Sequence, residues 1–256
     1  MLVAKLSCRR LAAGDDEEQW DKFATLLGAL RMGGNTLGRE WVVSKTAAEF
    51  FIFTNLPAAD ALREENLTKY GKDALTKLRT VGLGSLECHI QGPHPDELVA
   101  CECWQRSCLI LCTDYLSLRP AVRCGDCFAG IPLYLLPRLV SGEYYEIICW
   151  ESDYRACDNL QMNCRSGERF GTRQMTSHDS KLSLQGRAVC AELERLTGLP
   201  VFYYLFRFYG RGQAKERERK CPDCGGDWLL RERLHGMFDF RCDSSRLLSN
   251  LAVSSR

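Results

Sequence analysis

The chain has 256 residues, 45% of them hydrophobic and 26% charged, with a net charge of +1. That length fits one large domain or two smaller ones whose core forms without metal, and near-neutrality excludes whole-protein attraction to nucleic acid or membrane, leaving local basic surface only. No run of about 18 apolar residues occurs, and the N-terminal MLVAKLSCRRLAAGDDEEQW lacks the basic start and long apolar stretch of a signal peptide, so the sequence predicts a cytoplasmic protein with no membrane segment.

In chain order, LVAKLSCRRL is the first strand candidate. DDEEQWDKFATLLGALRMGG follows as a helix, with Asp15 and Asp16 at its positive end, an apolar stripe of Trp20, Phe23, Leu26, Leu27 and Leu30, and a Gly pair as its stop. REWVVSK and EFFIFTNLP are strand-like. Leu67, Tyr70, Leu75 and Leu78 give the next segment helical spacing, with Gly71 as its weak point. SLECHIQG and SCLILCTDYL return to strand character. RCGDCFAGIPLYLLP is a tight turn and then an extended segment bounded by prolines. EYYEIICW is a strand candidate, and ESDYRACDNLQMNC is a helix starting near Ser152. SKLSLQGRAVCAELERLTGLP is a helix with Leu182, Val189, Leu193 and Leu196 on one side, ended by Gly198 and Pro200. VFYYLFRFYG is an apolar strand, and the polar RGQAKERERK is a linker or solvated arm. No repeat of 20–50 residues is present.

The pattern predicts an α+β fold: a mixed or antiparallel sheet with packed helices and a C-terminal zinc-ribbon-like β-hairpin. The boundaries give an N-terminal α+β region over 1–100, a cysteine- and aromatic-rich α+β region over 101–210, and a basic linker with the hairpin over 211–256. Nearly all the long apolar segments lie before residue 211, which predicts that a chain ending at Gly210 folds without the hairpin.

Fifteen cysteines without a signal peptide point to reduced thiols, most of them buried as small hydrophobes and the close pairs serving metal or redox chemistry. In KCPDCGGDWLLRERLHGMFDFRCDSS, Cys221 and Cys224 form a C-x-x-C turn that aims both sulfurs at one centre, and the following glycine permits its tight geometry. DWLLRERL and GMFDFRC are two arms turning near His235 and Gly236, and Cys242 returns after seventeen intervening residues. The fourth position holds Ser245, a poor zinc ligand because its hydroxyl ionises far above neutral pH. Asp243 is an alternative oxygen ligand or a solvated turn acid, and His235, near the hairpin tip, is a solvated turn residue. Cys124 and Cys127 in RCGDCF are a second knuckle. They complete a site with Cys221 and Cys224 or with Cys101, Cys103, Cys149 or Cys157, form a redox pair, or sit on a structural turn.

The stretches PAVRCGDCFAGIPLYLLP, YYEIICWESDYRACDNLQMNC, LTGLPVFYYLFRFYG, KCPDCGGDW, LHGMFDFRCD and RLLSN together resemble a bacterial family of unknown function described as zinc-ribbon-containing, with nucleic-acid binding as its suggested role. The resemblance runs from about residue 100 to the end and is weaker before it. It implies a zinc site with two C-x-x-C pairs. Cys221, Cys224 and Cys242 match three of those positions, and Ser245 departs from the fourth.

Between Arg207 and Arg246, ten basic and seven acidic residues leave a local excess of +3. Arg211, Lys215, Arg217, Arg219, Lys220, Arg231 and Arg233 are the candidate phosphate contacts, and Trp228 is a candidate base-stacking ring. The alternating signs of KERERK also fit a plain solvated face. Zinc ribbons serve protein partners as readily as DNA or RNA, so a protein-interaction or inhibitor role stands as the alternative. An enzyme is the least favoured class. G-x-S-x-G, P-loop, G-x-G-x-x-G and H-E-x-x-H patterns are absent, and HPDE (His94 to Glu97) and SHDS (Ser177 to Ser180) read as loop or capping stretches.

Overall fold

The computed structural model describes all residues except 13, 39, 40, 97, 98 and 256. Glu97 of HPDE and the first two residues of the predicted strand REWVVSK therefore lie outside the described residues. The fold is α+β, as the sequence predicts, and divides into two compact units. One comprises Met1–Cys101, Leu118–Pro120 and Ala129–Tyr145; the other comprises Glu102–Ser117, Ala121–Phe128 and Glu146–Arg256.

In the first unit the elements run β1 (Leu2–Arg10), α1 (Asp16–Met32), β2 (Val43–Lys45), β3 (Glu49–Leu56), α2 (Lys69–Thr80) and β4 (Leu83–Pro93). The strands pair antiparallel in the order β2-β3-β1-β4, the split β-α-β arrangement of ferredoxin-like folds. Ala4, Leu6 and Cys8, two residues apart on β1, face the core against Phe23, Leu26, Leu27 and Leu30 of α1. Asp15 caps α1 by accepting the Glu17 N–H. On α2 the predicted stripe is corrected. Thr68 caps the helix, the buried positions are Gly71, Ala74 and Leu78, and Tyr70 faces solvent. Gly71 lies in the first turn of the helix and gives its N–H to the Thr68 cap at 3.2 Å.

The second unit is built from β5 (Leu109–Leu111), β6 (Val122–Cys124), α3 (Tyr145–Asn163), α4 (Glu168–Thr176), α5 (Lys181–Thr197), β7 (Val201–Leu205), β8 (Tyr209–Gly210), α6 (Gln213–Arg217), β9 (Leu229–Leu234), β10 (Phe238–Cys242), β11 (Leu247–Ser249) and β12 (Ser254–Ser255). Six strands make one mixed sheet in the order β6-β5-β7-β11-β10-β9; β7 is parallel to both β5 and β11, and the outer pairs are antiparallel. All five residues of β7 are buried, as a strand covered on both faces requires. α5 starts at the Ser180 cap and stops at Gly198, whose φ of 70° only glycine adopts cheaply.

Three expectations are corrected here. EYYEIICW is not a strand. From Tyr145 onward it is helical, because Ile147, Ile148, Trp150 and Tyr154 recur on one helix face and are all buried. RGQAKERERK is not a solvated arm. It contains α6, and Glu216 within it is buried and takes both oxygens to Arg207. Nor is the hairpin an appendage. β9 and β10 turn at His235 (φ 52°) and Gly236 (φ 66°) as expected, but β10 and the following β11 lie inside the sheet, with β11 directly on β7.

Candidate metal centres

Cys124 ends β6, held opposite Leu109 on β5. The chain then turns sharply. The Gly125 N–H donates to Cys108 O at 2.9 Å and the Phe128 N–H to Cys124 O at 3.0 Å. A Cβ on Gly125 would stand 2.1 Å from Cys108 Sγ, so only glycine fits this turn. The Asp126 N–H points at Cys124 Sγ from 3.4 Å, the backbone-to-sulfur bond that steadies a thiolate ligand. Asp126 anchors the knuckle by accepting from the Ser107 N–H (2.8 Å) and Oγ (2.5 Å). These bonds hold its carboxyl below the usual carboxylate range. Around this turn the ligand atoms of Cys101, Cys103, Cys124 and Cys127 all lie within 4.8 Å of one another. Four thiolates about a tetrahedral zinc, at Zn–S of about 2.3 Å, are roughly 3.8 Å apart, so the group fits such an ion with small movements.

The second group is Cys221, Cys224 and Cys242, again with sulfurs within 4.8 Å. Its knuckle is closed by the Gly225 N–H to Cys221 O and the Cys221 N–H to Gly226 O, each 2.9 Å, with Gly225 at φ 72°. Cys224 Sγ and Cys242 Sγ are 3.5 Å apart. Ser245 is buried with Oγ 3.7 Å from Cys221 Sγ. Ser244 Oγ reaches both Cys224 (3.6 Å) and Cys242 (3.3 Å). The Ser244 hydroxyl, then the Gly226 N–H and Ser245, pull the exposed Cys224 thiol down to about 6, while burial pushes Cys221 up. Asp223 ties this knuckle to α5 through Arg187 at 3.0 Å. Both knuckles thus read C-x-D-C, and in both the Asp is a brace.

Cys124 and Cys127 group with Cys101 and Cys103, and not with Cys221 and Cys224, nor with Cys149 or Cys157. Cys101 and Cys103 complete the larger group. The sequence signal for them is a C-x-C placed some twenty residues before the C-x-x-C. Asp243 is turned to Arg241 at 2.8 Å. His235 is not a solvated turn residue. It stacks on Phe128 and its Nε2 lies 2.7 Å from Gly125 O.

The basic candidates divide. Arg219 stacks between Trp228 (4.7 Å) and Phe240 (4.4 Å) and donates to Ser249 Oγ and Asn250 O; desolvation pushes its guanidinium down to about 10. Trp228 is 3% exposed, its Nε1–H given to Arg219 O. Neither is available to a nucleic acid, because each is a core partner of the other. Lys220 pairs with Asp227 and Arg233 with Asp239. Arg211, Lys215, Arg217 and Arg231 are exposed and, among the described residues, enter no ion pair.

Three models, each described as a domain of unknown function, match the chain in turn: DUF8589 over residues 1–92, DUF2310 over 103–206 and DUF8594 over 210–255. A Haemophilus influenzae protein described as uncharacterized is 31% identical over 244 residues, 92% of each chain. The chain belongs to this bacterial family of unknown function. A second Haemophilus influenzae relative is 37% identical over 149 residues, 58% of this chain and 71% of its own. Among solved structures, a Deinococcus radiodurans protein described as a candidate antibiotic biosynthesis monooxygenase aligns at 12% identity over 36% of this chain and 93% of its own. Its TM-score is 0.27, too low to carry an argument. Among the described residues no helix is long and apolar enough to cross a membrane, and all fifteen cysteines are thiols.

Proposed function

We propose that the protein is a cytoplasmic zinc-binding module with two thiolate sites and no catalytic role. Cys101, Cys103, Cys124 and Cys127 hold one zinc. Cys221, Cys224 and Cys242 hold a second in a zinc-ribbon-like hairpin, with Ser245 at the weak corner. The observation that carries this reading is the convergence of four thiols, drawn from two separated stretches, within 4.8 Å. Zinc favours tetrahedral thiolate ligation and involves no redox change. With four protein ligands the coordination sphere closes, which suits a structural cross-link and leaves no place for substrate.

The test is metal content by elemental analysis of protein purified without chelator. One to two zinc per chain is expected. Cys127→Ser is expected to lose the tighter equivalent, and Cys242→Ser the weaker one. Protein that arrives metal-free and yields no thiolate-to-metal absorption band on cadmium addition would overturn the reading.

A second reading, nucleic acid as partner, is favoured by the four exposed, unpaired cations Arg211, Lys215, Arg217 and Arg231. Salt-dependent binding to single-stranded RNA, single-stranded DNA and duplex tests it. Changing all four to Ala is expected to lower the log–log salt slope by up to about 3–4. No binding by metal-loaded protein at low salt would favour a protein partner instead.

A further inference from the structure

One hairpin serves both cysteine clusters. At its base, β10 ends on Cys242. At its tip, beyond the four residue steps of β10 (about 13 Å of strand), His235 stacks on Phe128 with ring centroids 4.9 Å apart and planes 12° from parallel. Phe128 is the residue directly after Cys127. It also receives the Arg123 guanidinium at 4.8 Å and meets Phe238 edge-on at 5.4 Å. The His235 Nε2–H donates to Gly125 O at 2.7 Å, in the middle of the Cys124–Cys127 turn. The hairpin thus meets that turn at two residues, Gly125 through His235 and Phe128 through His235 and Phe238. Phe128 (φ 60°) and His235 (φ 52°) both hold left-handed backbone without being glycine, a conformation that persists only where surrounding packing over-determines it.

We propose that His235 and Phe128 couple the two metal sites. Metal at Cys221, Cys224 and Cys242 pins the base of the hairpin. The pinned hairpin holds His235 against Gly125 and Phe128, and the Cys124–Cys127 knuckle then keeps its own metal longer. Linkage makes the effect reciprocal, on the scale of about 5–150-fold for coupled sites. This inference rests on the reading that both clusters take zinc. His235 is here a positioning residue, acting on the ligands through the turn that carries them.

Zinc release from the full chain to a chromophoric chelator tests it, the two release phases being assigned with Cys127→Ser. Disabling the C-terminal site with Cys224→Ser and Cys242→Ser is expected to speed release from the four-cysteine site about tenfold. His235→Asn tolerates the left-handed backbone but lacks the ring and the reach to Gly125 O, and is expected to give the same acceleration. The combined variant should show little beyond either change alone. Ser245→Cys exchanges the hydroxyl beside Cys221 Sγ for a fourth thiol and strengthens the C-terminal site, so it should slow release from the other site; this arm stands even if the variants that lose a cysteine fold poorly. Release at the four-cysteine site that ignores both Ser245→Cys and His235→Asn overturns the coupling while both zincs remain. Absence of zinc from both clusters overturns the parent reading with it.

Discussion

Ending the chain at Gly210 removes β9, β10 and β11, three of the six strands in the second unit's sheet. Five large apolar side chains go with them: Trp228, Phe238, Phe240, Leu247 and Leu248, none more than 3% exposed. Burying such a side chain is worth about 1.5–3 kcal/mol, so roughly 8–15 kcal/mol of burial is lost. A whole domain is stable by only about 5–15 kcal/mol. The loss matches that margin, and it leaves the β7 edge that Leu247–Ser249 covered without a partner. The second unit is therefore expected not to fold. Amide hydrogen exchange read by mass spectrometry over α5 and β7 is the assay, because both elements remain in the shortened chain. Protection there should collapse by at least about a thousandfold, the ratio that separates a folded from an unfolded amide near 4 kcal/mol. Retained protection in α5 and β7, together with a cooperative melt near that of the full chain, would refute the reasoning and make the hairpin a true appendage.

Ser245→Cys supplies a fourth thiol at a buried corner 3.7 Å from Cys221 Sγ. It should slow zinc loss from the C-terminal site by at least about tenfold, the scale of altering even an outer partner of a ligand, as followed by chelator competition. Asp158 is buried and accepts the Tyr115 N–H at 2.9 Å, and burial, with the Asp114 charge adding, holds its carboxyl above the usual range. The folded state therefore binds this proton more tightly than the unfolded chain does, and stability falls as pH rises through the carboxylate range. Asp158→Asn keeps the acceptor without the charge. Its Tm should be about 2–4 °C higher at pH 7, with the difference closing below about pH 4; an unchanged or lower Tm at pH 7 would contradict the burial argument.

Local signals were legible where one residue type has one physical use. The Asp15 cap, Gly198 at the end of α5 and the His235–Gly236 turn sit where their chemistry places them. Misreadings arose where two forces favoured different answers. The β-propensity of Tyr144, Tyr145, Ile147 and Ile148 was overridden by a helix face that packs Ile147 and Trp150 inward. The alternating charges of KERERK resemble a solvated face, yet Glu216 and Arg219 fold inward because Arg207, Trp228 and Phe240 satisfy them. C-x-x-C spacing identified both knuckles. The choice of Cys101 and Cys103 as partners, from several nearby cysteines, is a matter of tertiary proximity, to which local spacing is blind.

The parallel neighbour of β7 has a kinetic consequence. During synthesis, the five apolar residues of β7 emerge about forty residues before β11, the strand that pairs with their open edge. At about 5–20 residues per second that interval is roughly 2–8 s. Throughout it, Val201–Leu205 has β5 on one side but an open edge on the other, the kind of edge that seeds aggregation. Any slowing of translation between Phe206 and Arg246 lengthens the time that edge stays open.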